Sequence, residues 1–136
     1  MKDTSEIINK INSYDKTNID FLNDTDFQCP QIQYYLADLL HTHEVSCKDY
    51  INALNLERSY GYQLLNGRRK PTRENLIKTA IWLELNLQET QRLLKIGNRE
   101  VLYPRVKRDA IAVFAIEKKL SLQEYQELID AYEEEL

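Results

Sequence analysis

Hydrophobic residues along this chain recur at spacings of three and four and almost never alternate, which is the mark of amphipathic helices rather than strands. Ile7, Ile8 and Ile11 predict a short N-terminal helix opened by Thr4 or Ser5. From Asn12 to Asp26 the chain is rich in Asn and Asp and reads as loop with a small anchor at Ile19, Phe21 and Leu22. This arm either packs on the core or serves as a swapped or partner-binding segment. Pro30 suits the first position of the next helix, whose apolar face of Ile32, Tyr35, Leu36, Leu39 and Leu40 carries it to about His43. Ser46 then opens a helix that buries Tyr50, Ile51 and Leu54, with its hydroxyl free to cap backbone amides and Asp49 three residues on. Asn55 falls where the chain must turn sharply, and Asn tolerates the left-handed conformation. Leu56 plugs the turn, and a second short helix follows from about Glu57 to Leu65, with Leu64 and Leu65 inward and Asn66-Gly67 as its stop.

The pattern continues beyond this pair. Thr72 to Leu85 predicts a helix with Leu76, Ile77, Ala80, Ile81, Leu83 and Leu85 inward and Trp82 in the core rather than serving as a ligand platform. A further helix ends at Gly97-Asn98, and Leu102-Tyr103-Pro104 makes an extended link, because a residue before Pro is pushed out of the helical region. Two last helices are expected over about 105–119, with Ala110, Ile111, Val113, Phe114 and Ile116 apolar, and from Leu122 to about Glu134. The segments LELNLQETQRLLKIG and EKKLSLQEYQELIDAY share the pattern Leu-x-Leu-Gln-Glu-x-Gln-x-Leu about 35 residues apart. In both, a capping residue, Asn86 or Ser121, precedes Glu89 or Glu124 by three positions. Convergent use of one helix-to-helix joint and a true duplication account for this equally well.

Glycine and proline number three each in 136 residues, which supports an all-α chain long enough to bury its own core. No apolar stretch approaches a membrane span, the start MKDTSEIINK is too polar for a secretory signal, and Cys29 and Cys47 alone do not make a disulfide scaffold. A cytoplasmic protein is expected. The formal charge of −4 argues against a non-specific nucleic-acid coat, but a reader with its cations on one face remains compatible with it. His41, His43 and Cys47 do not have the spacing of a metal site, since residues two apart on a helix diverge. No phosphate-cradling glycine loop, nucleophile elbow or arguable Ser/His/Asp set is present. No catalytic residue, metal or cofactor is therefore assigned, and the chain is not read as an enzyme.

Positive charge gathers just after the second short helix, at Arg68, Arg69, Lys70 and Arg73 around Pro71, where it suits phosphate contacts. On that helix Arg58, Ser59 and Gln63 lie outward near the start and one turn later. These types reach base edges: Arg toward guanine, Gln toward adenine, Ser toward either. Gly61 in mid-helix costs about 1 kcal/mol relative to Ala, so the helix must lean on its neighbours, and Tyr60 and Tyr62 are expected to supply that packing. A second basic cluster, Arg99, Arg105, Lys107 and Arg108, is either solvated charge, a set of partners for the acidic tail, or an extension of the phosphate track.

Over roughly half its length the chain resembles the Cro/repressor (XRE-type) helix-turn-helix family of bacterial and phage regulators. Tyr50-Ile51 match the family's inner pair, Asn55-Leu56 its turn, Asn66-Gly67 the end of its reading helix, and Arg68 to Pro71 its basic run. The resemblance implies a five-helix DNA-binding bundle, with Arg58, Ser59 and Gln63 facing bases and Asn66, Arg68 and Arg69 facing the backbone. The expected layout is an N-terminal arm over 1–29, the helix-turn-helix domain over 30–98 and a C-terminal helical hairpin over 99–136. The expected function is sequence-specific transcription regulation on double-stranded DNA as a homodimer, with the hairpin offering a dimer or partner-protein surface. The alternative is a protein-interaction module that keeps the helix-turn-helix shape without binding DNA.

Overall fold

The structure is a computed structural model that describes residues 4–12 and 30–133, and every regular element among them is helical. The expected anchor at Ile19, Phe21 and Leu22, and Cys29, lie outside the described residues. The chain divides into two units, Met1–Pro30 and Gln31–Leu136. In the first, α1 (Thr4–Asn12) forms where the isoleucine spacing predicts it. The second holds α2 (Ile32–Thr42), α3 (Cys47–Ala53), α4 (Arg58–Asn66), α5 (Arg73–Trp82), α6 (Leu87–Ile96), α7 (Lys107–Glu117) and α8 (Leu122–Ala131). None of the helices is long and apolar enough to cross a membrane, among the described residues. Pro30 stands before the Gln31 cap rather than at the first helical position.

One three-residue joint recurs four times among the described residues. Glu44, Asn55, Glu84 and Lys119 each adopt a left-handed backbone, with φ of 56°, 53°, 56° and 53°. After each comes an apolar residue whose amide reaches back to a carbonyl five residues earlier: Val45 to Leu40, Leu56 to Ile51, Leu85 to Ala80, Leu120 to Ala115, all at 2.9–3.0 Å. The next residue caps the following helix. Ser46 accepts from the Asp49 amide at 3.0 Å, Glu57 from Ser59 and Tyr60, Asn86 from Glu89 at 2.8 Å and Ser121 from Glu124 at 3.1 Å. At Asn86 and Ser121 the glutamate returns the bond, so both sites are full capping boxes. The joint closes the last carbonyls of one helix and the first amides of the next within three residues, so successive helices stay tightly coupled. The similarity between the two LQE segments is two of these four joints.

Around α5 the second unit packs as one body. This helix touches α6, α7 and α8, and its Leu76 and Ala80 are fully buried with Leu36, Leu93, Leu94, Ala115 and Tyr125 in one continuous core. Leu102, Ala112 and Ile129 belong to that core too, so no domain boundary falls at 98/99. The hairpin is part of the same unit as α2 to α6. Burying each of these leucines contributes about 1.5–3 kcal/mol. Two buried polar groups are internally satisfied: Tyr50 and Thr79 hydroxyls meet at 2.9 Å, and Thr79 donates to the Asn75 carbonyl at 2.7 Å. Because the threonine has one proton to give, Tyr50 must donate to it, which ties α3 to α5. Trp82 is half-buried, with its ring 6.0 Å from that of Tyr50, and so sits at the edge of the core. On α7 the buried face is Ala112, Ala115 and Ile116, while Phe114 is 49% exposed.

Gly61 is where the pairing of α3 with α4 is decided. A Cβ built there would lie 2.5 Å from Ile51 Cγ1 and 2.9 Å from its Cδ1. Ile51 is buried and stiff at χ1, so it has little room to yield. Gly61→Ala is therefore expected to destabilise the protein by about 1–2 kcal/mol, the overpacking cost outweighing the better helix propensity of Ala. Urea unfolding checks this, and a stabilised variant would contradict the close approach.

Candidate nucleic-acid interface

Three fixings place α4. At its start Glu57 is the cap rather than the first helical residue, and its carboxylate accepts from the Ser59 amide at 3.0 Å and the Tyr60 amide at 2.8 Å. Those two amides hold the exposed carboxyl of Glu57 below the ordinary glutamate value. In the middle, Gly61 lets the helix lie directly on Ile51, and the Tyr60 hydroxyl accepts from Asn75 Nδ2 at 3.2 Å. At its end Gly67 takes φ 85°, a conformation that strains any residue with a Cβ, and one there would lie 2.8 Å from Gln33 Nε2. Tyr60 thus supplies the expected packing. Tyr62 does not: it is 41% exposed, and the Arg58 guanidinium sits over its ring at 6.0 Å.

With the helix so held, Arg58, Ser59, Gln63, Asn66 and Arg68 line one open depression of about 420 Å³. Arg58 and Ser59 are exposed and Gln63 is half-buried. Arg69 and Lys70 are exposed on the loop that follows. That loop is shaped by its own polar groups: Asn66 Oδ1 accepts from the Arg68 amide at 3.0 Å, and the Arg69 amide donates to the Gln63 carbonyl at 3.1 Å. Pro71 is buried, and its carbonyl accepts two bonds from Arg99, at 3.1 and 2.9 Å. Arg99, read from sequence as part of a second basic cluster, is thus a clamp on the base of the loop. Arg105, Lys107 and Arg108 are exposed.

Arg73 departs from its expected role as a phosphate contact. Its Nη1 and Nη2 each donate to Asp109 at 2.9 Å, Nε donates to the Glu100 carbonyl at 2.9 Å, and Nη2 also donates to that of Val101 at 3.1 Å. A guanidinium has five donors, and these four bonds turn Arg73 inward. Burial pushes the Asp109 carboxyl up, but bonds from Arg73 and the Tyr103 amide, with the charges of Arg73 and Arg108, outweigh it and hold the group below the ordinary aspartate value. Gln91 pairs both ways with the backbone of Leu102, at 3.0 and 2.7 Å. The link from α6 to α7 is therefore laced to α5, α6 and the basic loop.

Two residues of this surface escape the sequence reading. Lys48, exposed on α3, lines a second hollow of about 240 Å³ with Asn52, Leu56, Arg58 and Tyr62. Glu57 shares the first depression with Arg58 and Gln63; the repeated joint was the signal for it, since Glu57 stands two residues after a left-handed Asn55 as Asn86 does after Glu84. Cys47 is exposed at the start of α3. Compared with known proteins, the chain matches no family model, no curated protein and no solved structure.

Proposed function

We propose that this chain is a sequence-specific DNA-binding transcription regulator of the Cro/repressor-like helix-turn-helix kind, with α3 and α4 as the motif, α2, α5 and α6 completing its bundle, and α4 as the reading helix. The observation that carries this is the grouping of Arg58, Ser59, Gln63, Asn66 and Arg68 around one open depression, with Arg69 and Lys70 exposed beside it. Base-reading types and phosphate-binding types thereby share a face, which is what simultaneous backbone attraction and base readout require. A nine-residue helix is about 14 Å long and suits a major groove about 12 Å wide. Asn66, with its oxygen committed to the Arg68 amide, offers its Nδ2 to a phosphate, and Arg68, Arg69 and Lys70 complete the backbone set. The protein acts in the cytoplasm as a homodimer on a two-fold site, each copy placing α4 in one half-site.

Selection of bound duplexes from a random pool tests this. The expected product is an inverted repeat whose half-sites lie about one helical turn, roughly 34 Å, apart, and a pool with no enriched sequence would contradict it. The competing assignment is a protein-interaction module, for which the exposed Phe114 and Tyr132, 49% and 48% accessible in the C-terminal part, are the specific support. It would take over if the chain retains no duplex at low salt.

A further inference from the structure

We propose that Glu57 determines specificity by reading a cytosine in the major groove beside the guanine taken by Arg58, an inference that rests on α4 being a DNA-reading helix. Glu57 lines the same depression as Arg58, Ser59 and Gln63, and its side chain is exposed. Neither oxygen is free to wander, since Oε1 accepts from the Ser59 amide and Oε2 from the Tyr60 amide. Those amides are the groups with which a helix N-terminus would hold a phosphate; here a protein carboxylate occupies them. Those two amides are thereby closed to a phosphate, and the start of α4 presents acceptors that call for a donor. In the major groove the donors are cytosine N4 and adenine N6. Adenine sets the acceptor N7 beside N6, which opposes an anion, whereas cytosine presents N4 with no acceptor of its own next to it. The acceptors on the paired base, guanine O6 and N7, are what an arginine takes, and Arg58 is the next residue in the chain, its guanidinium steadied over the Tyr62 ring. Glu57 and Arg58 together are complementary to a C·G pair, and thymine, which offers only an acceptor and a methyl group, is rejected at the Glu57 position.

The test is selection from a random duplex pool with the full chain as wild type, Glu57→Gln and Glu57→Ser. Serine keeps the helix cap without the charge, so it decides the matter if Glu57→Gln fails to fold in a thermal melt. The wild-type pool is expected to carry cytosine at one position of each half-site, favoured by about 5- to 150-fold, the ordinary range for a mismatched pair. The variants lose that preference, keep the others, and bind random duplex more tightly at low salt because an anion has gone from the face. A wild-type motif without that cytosine, or a cytosine that persists in both variants, overturns the assignment of Glu57 while leaving DNA binding intact. Failure of the wild type to retain any duplex overturns DNA binding itself, and this assignment with it.

Discussion

Asp109→Ala is expected to cost about 2–4 kcal/mol at neutral pH. Breaking a buried ion pair costs about 3–5 kcal/mol because the surviving charge is stranded, and the lower figure reflects an Arg73 side chain that is 32% exposed against 7% for Asp109. The change also removes the acceptor of the Tyr103 amide. Because the carboxyl titrates below its ordinary value of 3.8 in the folded state, its contribution is complete above that value and is lost as pH falls through the folded pKa. Urea unfolding at pH 7 and near pH 2 checks both points. The gap between wild type and variant should be wide at pH 7 and narrower in acid; an equal gap at both would show that the ion pair is not what holds the α6–α7 link.

The second large effect falls on binding and divides by residue. Arg58→Ala or Gln63→Ala should cost about 1–3 kcal/mol on the selected site and relax preference at one base position each. Arg68→Ala or Arg69→Ala should weaken every duplex alike and reduce the salt slope by about 1. The measurement is a titration of selected and scrambled duplexes with each variant. Should Arg58→Ala leave the selected site and its preference unchanged, α4 does not present its start to the bases.

Much of this architecture was legible because helix starts carry chemistry: Ser46, Asn86 and Ser121 cap where a hydroxyl or amide oxygen precedes an apolar face, and Thr72, expected as the first residue of its helix, is its cap. Helix ends were harder. Asn55 and Gly67 announce a left-handed backbone, but Glu44, Glu84 and Lys119 adopt it with no local signature, because the apolar residue that follows each one is held by the preceding helix. Hence the α5 helix, expected to run to Leu85, stops at Trp82. On α7 only Phe114 was misleading: it stands out in the pattern yet is exposed, whereas Ile116 is buried beside Ala112 and Ala115, and Ile111 and Val113 pack against the core. Arg73 could not be separated from its basic neighbours by sequence, since its partner Asp109 lies 36 residues away and meets it only in the folded chain. Arg58, Ser59, Gln63, Asn66 and Arg68 could be grouped from sequence because they sit within one helix and one loop, where spacing alone sets who is neighbour to whom.

The central claim, that cations and base-reading side chains act on DNA together from one surface, is tested most directly by measuring affinity for a random duplex across a range of salt concentrations. Contacts from Arg68, Arg69 and Lys70 should give measurable binding at low salt and a log–log slope of about −3 per copy. Absence of binding at the lowest ionic strength, or affinity that does not change with salt, would contradict it.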